Sequence, residues 1–131
     1  MSEKDYSHRP LLAKLGIRPE SRISLIGIQD PEFLHPVLPQ VANPTQTRPA
    51  KHSDLIFFGV ESTTQLERLP TLKKHLVPSG AIWIIYPKGQ KHITEAQVMA
   101  AIKSAGLTDN KVVSFSATHT GLRACIPVAE R

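Results

Sequence analysis

Seven residues have the types and placing from which a ligand site could be built. They are Gln29, Asp30, Gly59, Glu61, Ser62, Tyr86 and Lys88. Each stands at or just beyond the end of a short apolar run. Lys88 follows a proline in the loop Lys-Gly-Gln-Lys-His and could hold an anion, or simply be a solvated loop lysine. Tyr86 could stack on a ligand ring, or close the core with its hydroxyl in water. Asp30 precedes Pro31, the order of a helix N-cap followed by proline at the first helical position, and Ser62 could cap a helix in the same way.

Other chemistry-bearing types form no working set. The histidines (His8, His35, His52, His75, His92 and His119) show no metal-ligand spacing, so no metal is expected. His119 falls in a hairpin turn and is expected at the surface. Cys125 has no basic neighbour that would activate it and reads as an inert buried thiol. Ser79, Ser114 and Ser116 lack the Gly-x-Ser-x-Gly elbow of a hydrolase nucleophile.

The elements that would position these residues follow from the apolar pattern. Arg22–Ile28, Asp54–Val60 and Ala81–Tyr86 are short runs rich in Ile, Phe and Trp, as strands buried on both faces read. Between the second and third lie Ser62–Leu69 and Pro70–Leu76, a helix kinked at Pro70 with Leu66, Leu69, Leu72 and Leu76 on one face. Pro78-Ser79-Gly80 predicts a tight turn. Thr94 and Gln97 have capping-box spacing ahead of a stripe of Val98, Ala101, Ile102 and Ala105, which Gly106 closes. Lys111–Ala117 and Leu122–Pro127 alternate, and Thr118-His119-Thr120-Gly121 joins them as a hairpin. Upstream, Pro10–Leu15 predicts a helical turn, Pro31–Leu38 a short helix and Val41–Thr47 an edge strand. Residues 1–131 are expected to form one domain, with residues 1–9 a flexible N-terminal segment.

Bulk properties narrow the class. The chain has 131 residues, 40% of them hydrophobic and 21% charged, as in an ordinary water-soluble domain. A single cysteine excludes an intrachain disulfide, and a polar N-terminus without an apolar stretch excludes a signal peptide; a cytoplasmic location is expected. No apolar run reaches membrane-spanning length. The formal charge of +5 is spread along the chain and only 5% of residues are aromatic, so nucleic acid is not an expected partner.

The element order, with its reversed last strand, resembles the Rossmann-like fold of S-adenosylmethionine-dependent methyltransferases, in shortened form. Leu76-Val-Pro-Ser-Gly-Ala-Ile-Trp83 is similar to the Leu-x-Pro-Gly-Gly-x-Leu turn before the fifth strand of that fold. Ala105-Gly106-Leu107 matches the Ala-Gly-Phe/Leu that ends its next helix. More closely, the chain resembles a family of small bacterial proteins of unknown function. These begin Pro-Leu-x-x-Lys-Leu-Gly-Ile-x-Pro, here Pro10 to Pro19, and carry Trp-Pro-Lys after the central strand, here Tyr86-Pro87-Lys88. They end with a Trp-Ser-Gly-Leu hairpin, where this chain has His119-Thr120-Gly121-Leu122.

The resemblance implies an α/β, three-layer, Rossmann-like architecture: a mostly parallel sheet with one antiparallel strand near the edge. Ligands in such sheets bind at the carboxyl ends of strands. On the implied strand order, the first and second confident strands flank that crevice, which the seven residues above would line. A nucleotide-binding bend needs glycines, and Ile26-Gly27-Ile28-Gln29-Asp30-Pro31-Glu32 offers only Gly27, still inside the strand. Asp30 and Glu32 would repel phosphate. Gln40 to His52 contain no acidic residue to hold a ribose. The expectation is a non-catalytic domain without a cofactor, acting by binding a partner protein, a small ligand or a second copy of itself. The alternative is an atypical methyltransferase that uses S-adenosylmethionine.

Overall fold

The structure is a computed structural model that describes residues 15–18, 20–28, 31, 34, 44–45 and 49–131. Its centre is a five-stranded sheet. The strands are β1 (Ile23–Ile26), β2 (Ser53–Gly59), β3 (Leu76–Pro87), β4 (Thr108–Ser114) and β5 (His119–Cys125), arranged β1-β2-β3-β5-β4. β1 pairs with β2, and β2 with β3, in parallel; β5 runs antiparallel to both β3 and β4. The pairings divide evenly, so the sheet is mixed rather than dominated by parallel pairs as the sequence suggested. The reversed strand sits one place in from the edge. Thr45 makes an isolated parallel bridge to Ser24 on the far side of β1, within the expected Val41–Thr47 strand.

Strand alternation sends side chains to two cores. Ile56, Phe58, Ile82, Ile84 and Tyr86 pack on one face, beneath Leu66, Leu69, Leu72, Val98 and Ile102 of the helical segments. Leu55, Phe57, Trp83 and Ile85 pack on the other, with Leu15, Ile28, Leu34 and Phe115. Trp83 is fully buried and its Nε1 donates to the Leu15 carbonyl at 3.0 Å, so its one polar atom is satisfied. Each large side chain so buried contributes roughly 1.5–3 kcal/mol.

The predicted kinked helix is a 3-10 segment, Thr63–Arg68, followed by α1 (Leu69–Lys73), whose start places Pro70 in the first turn, where a missing N–H costs nothing. Its last expected residue, Leu76, already belongs to β3. The predicted turn at Pro78-Ser79-Gly80 is instead a bulge inside β3: Leu76 to Ala81 stand against Ser53 to Leu55. α2 (Glu95–Ser104) begins at Thr94, whose Oγ1 accepts from Gln97 N at 3.2 Å while Gln97 Oε1 accepts from Thr94 N at 2.9 Å. Gly106, with φ of +76°, follows its end. The hairpin loop is Phe115–Thr118, shifted toward the N-terminus, because β5 begins at His119. Pro10–Lys14, and Pro31–Leu38 apart from the helical Pro31 and Leu34, lie outside the described residues. Among the described residues no helix is long and apolar enough to cross a membrane.

Candidate functional site

Two parallel strands with glycines just past or at their ends can bring their main chains very close. β1 ends at Ile26, so Gly27 is not inside the strand, as the sequence reading had it. It is the first residue beyond β1, exposed, with φ of +74°, a conformation that an L side chain rarely adopts. A Cβ on Gly27 would lie 2.8 Å from the Gly59 carbonyl oxygen, and one on Gly59 would lie 2.5 Å from that of Gly27. Both positions therefore have to be bare. They floor a cleft of about 710 Å³ at the carboxyl ends of β1, β2 and β3.

Ile28, Ile85 and Phe115 give this cleft an apolar side, while Glu61, Gln65, Thr118 and His119 give it a polar one. Gln65 is fixed by its role at the start of the 3-10 segment: its Oε1 accepts from Glu61 N at 2.6 Å and from Ser62 N at 3.1 Å. His119 Nε2 meets Glu61 Oε2 at 3.1 Å, and His119 Nδ1 meets Thr118 Oγ1 at 2.8 Å. The Glu61 backbone carbonyl faces His92 Nε2 at 2.9 Å; a carbonyl only accepts, so that nitrogen carries a hydrogen. The β2 end, the loop before α2 and the start of β5 are thus tied together at the cleft rim.

Of the seven residues expected at this site, Gly59 and Glu61 line the cleft. Gln29 and Asp30 lie outside the described residues, as do the acid-free stretch's Gln40 to Asn43. Ser62 takes the N-cap position of the 3-10 segment. Tyr86 and Lys88 do not join the cleft. Alternation along β3 gives Ile85 to the cleft face and sends Tyr86 to the opposite one. There Tyr86 and Lys88 border a separate depression of about 290 Å³ with Glu95 and Thr120. The Tyr86 hydroxyl is 3.5 Å from Glu95 Oε1; burial first, then the Glu95 charge, pushes its pKa up to about 12. Lys88 Nζ donates to Ser114 Oγ at 2.7 Å.

The sequence reading missed Gln65, Phe115, Thr118 and His119. His119 is half-buried as the first residue of β5, opposite Pro87, rather than standing out in a turn. It meets Glu61 across 58 positions of sequence, a separation for which no local pattern gives a signal. The alternation Val113, Phe115 did mark Phe115 as inward-facing. Cys125 is buried as expected, but it does have a basic neighbour: Arg123 Nη1 lies 2.9 Å from its Sγ and Asn110 Nδ2 at 3.0 Å. Among the described residues no group of His, Cys, Asp and Glu could hold a metal ion. A further depression of about 530 Å³ lies between the 3-10 segment and α2, where Leu66, Pro70, Ala101 and Ala105 are joined by Thr63, Glu67, Gln97 and Ser104.

No family model and no curated protein matches this sequence. Solved structures do match in fold. A putative type 11 methyltransferase from Sulfolobus solfataricus superposes with a TM-score of 0.68 at 13% identity, over 95% of this chain and 95% of that one. Magnesium protoporphyrin IX methyltransferase from Synechocystis PCC 6803, with bound S-adenosylhomocysteine, gives 0.66 at 10% identity, over 94% and 81%. CalO1, a methyltransferase in calicheamicin biosynthesis in its S-adenosylhomocysteine-bound form, gives 0.62 at 14% identity; 95% of this chain spans 54% of that protein. The chain therefore has the methyltransferase-like, Rossmann-like α/β fold. The expectation of a domain with no cofactor is overturned, because structures with this fold hold S-adenosylhomocysteine.

Proposed function

We propose that this chain binds S-adenosylmethionine in the cleft over Gly27 and Gly59 and is an atypical S-adenosylmethionine-dependent methyltransferase. The observation that carries the reading is that cleft itself. It opens at the carboxyl ends of β1 and β2, its floor is main chain without side chains, and the Glu61 carboxylate stands at its rim. Its materials suit a nucleoside. Ile28, Ile85 and Phe115 offer apolar surface to a flat base, and Glu61 offers an acceptor to hydroxyl groups. Among the described residues no cluster of basic side chains lines the cleft, which suits a cofactor without phosphate. When bound, the cofactor supplies an electrophilic methyl group on a sulfonium centre.

The chain's own residues would hold and orient. Gly27 and Gly59, bare because each faces the other's carbonyl, would present main chain to the ligand at the floor. The capping interaction of Gln65 stiffens the segment that carries Glu61. Phe115 and Thr118, in the β4–β5 loop, bound the cleft on the side away from β1.

Calorimetric titration with S-adenosylhomocysteine, followed by thermal unfolding at ligand concentrations up to 100 times the measured Kd, tests the reading. A ligand bound only to the native state stabilises it by about 2.7 kcal/mol at that excess, a rise in Tm of several degrees for a chain of this size. The absence of both binding heat and a Tm change at millimolar S-adenosylhomocysteine would overturn the reading.

A further inference from the structure

The formal charge of +5 is spread along the sequence, but the fold collects part of it at one end of the sheet, opposite the cleft. Each of three adjacent parallel strands is entered from basic residues. Arg22 precedes β1, Lys51 and His52 precede β2, and Lys74 and His75 precede β3. Neighbouring strands lie about 4.8 Å apart, so these entries form a row across the amino end. Hydrogen bonds hold the row in register. The Arg22 carbonyl accepts from Asp54 N at 2.8 Å, the His75 carbonyl accepts from Ser53 N at 2.8 Å, and Arg22 Nη1 donates to the Lys51 carbonyl at 3.2 Å. Beneath the row, Ser24 Oγ accepts from Ala50 N at 2.9 Å and ties the Lys51 turn to β1.

Arg22, Lys51, His52 and Lys74 are exposed. Among the described residues Lys73 is the single lysine or arginine in an ion pair, with Glu130 at 3.1 Å. Glu20 and Asp54 stand at the same end, and Asp54 Oδ2 is taken by Arg22 N at 2.8 Å. Beside the row, Arg18, Arg123, Ser21 and Ser79 join those two acids around a depression of about 400 Å³. A fixed row of cations without counter-charges repels itself and attracts an anion that can span it. From this geometry we infer that the amino end of the sheet docks the phosphate backbone of a nucleic acid. Successive phosphates meet cations carried on successive strands, and released counterions drive association. No Phe, Tyr or Trp belongs to the row, so the contact is with phosphates and carries no base preference. Val128 is the one large apolar side chain exposed at this end among the described residues, too little to favour a bilayer surface. The inference is independent of what the cleft at the carboxyl end binds.

Fluorescence anisotropy with a labelled, mixed-sequence single-stranded DNA of about 20 nucleotides, titrated at several salt concentrations, is the test. The expected Kd is about 10⁻⁶ to 10⁻⁴ M near physiological salt, and log K should fall against log salt with a slope of about −2, as for three phosphate contacts. Lys51→Glu and Lys74→Glu should each weaken binding about tenfold and flatten the slope. Lys91→Glu, the same charge change in the exposed loop at the other end of the sheet, should stay within about twofold of wild type. Circular dichroism of the variants should match wild type, since all three lysines are exposed. No salt-dependent binding by the wild type at low salt overturns the inference, as does an equal loss in folded Lys74→Glu and Lys91→Glu proteins. Capture by phosphatidylserine vesicles without oligonucleotide binding overturns it in favour of a lipid surface.

Discussion

β1 and β2 finish very differently at their two ends. At the amino end the polar groups consume one another. Ser24 Oγ sits 2.9 Å from Ser53 Oγ, accepts from Ala50 N at 2.9 Å and from Thr45 Oγ1 at 3.1 Å, and Ser53 Oγ donates to the Ala50 carbonyl at 2.5 Å. Both serines are fully buried, and among the described residues no buried side-chain nitrogen or oxygen lacks a partner. At the carboxyl end there is main chain at Gly27 and Gly59, and a rim whose Glu61 carboxylate is 71% exposed. One end is closed by satisfied hydroxyls; the other keeps its polar groups where a ligand can reach them. Within one pair of strands, stability and the capacity to enclose a small ligand are thus sorted to opposite ends.

The largest expected effect lies at the closed end. Ser24→Ala leaves the Ala50 N–H and the Thr45 hydroxyl short of a buried acceptor, and the Ser53 hydroxyl short of a donor. It should cost about 2–3 kcal/mol in denaturant unfolding. Affinity for S-adenosylhomocysteine should not change beyond that expected from the native fraction. A specific loss of affinity would break the separation between the two ends. Gly59→Ala tests the other end. Its Cβ would press on the Gly27 carbonyl, with an expected cost of about 1–3 kcal/mol, and the displaced floor should weaken S-adenosylhomocysteine binding as well. Unaltered affinity in a folded Gly59→Ala protein would show that the floor does not touch the ligand.

What was legible in the sequence follows the same division between local and distant causes. β2, the core of β3 and α2 were readable because apolar runs and a capping box are local signals. Pro78-Ser79-Gly80 misled because turn-forming residues also build bulges, and only the pairing with β2 distinguishes the two. Tyr86 was placed in the cleft because it ends an apolar run; one position of strand alternation assigns that place to Ile85 instead. Gly59 and Glu61 were legible as strand-end residues. Their partners Gly27 and His119 were not, since the Gly27 contact depends on strand register and the His119 contact joins β2 to β5 over the end of β3.

A buried hydroxyl on the other face of the sheet sharpens the contrast through pH. Tyr86 holds its proton up to about pH 12 in the folded chain against 10.0 for an ordinary tyrosine. Below pH 10 both folded and unfolded chains keep that proton, and Tyr86 adds no slope. Between pH 10 and 12 the unfolded chain releases it first, so stability falls with rising pH, by up to about 2 kcal/mol after allowance for solvent screening. Tyr86→Phe should lack this component in urea titrations. An identical slope in wild type and Tyr86→Phe would remove Tyr86 as its source.

The smallest effect discriminates best between the two ends. The Glu61–His119 contact, at 3.1 Å, matches only the longest of the serine network, and its exposed carboxylate already has water to replace it. Exposed pairs of this kind contribute about 0–1 kcal/mol, less in high salt. His119→Gln and Glu61→Gln should therefore each change stability by less than about 0.5 kcal/mol, and a double-mutant cycle should give a coupling of the same order. The corresponding cycle on Ser24 and Ser53 should exceed about 1 kcal/mol, because neither partner has solvent to turn to. If the rim pair proved as strongly coupled as the buried serines, Glu61 and His119 would be part of the scaffold, and the carboxyl end would be closed like the amino end rather than open to a ligand.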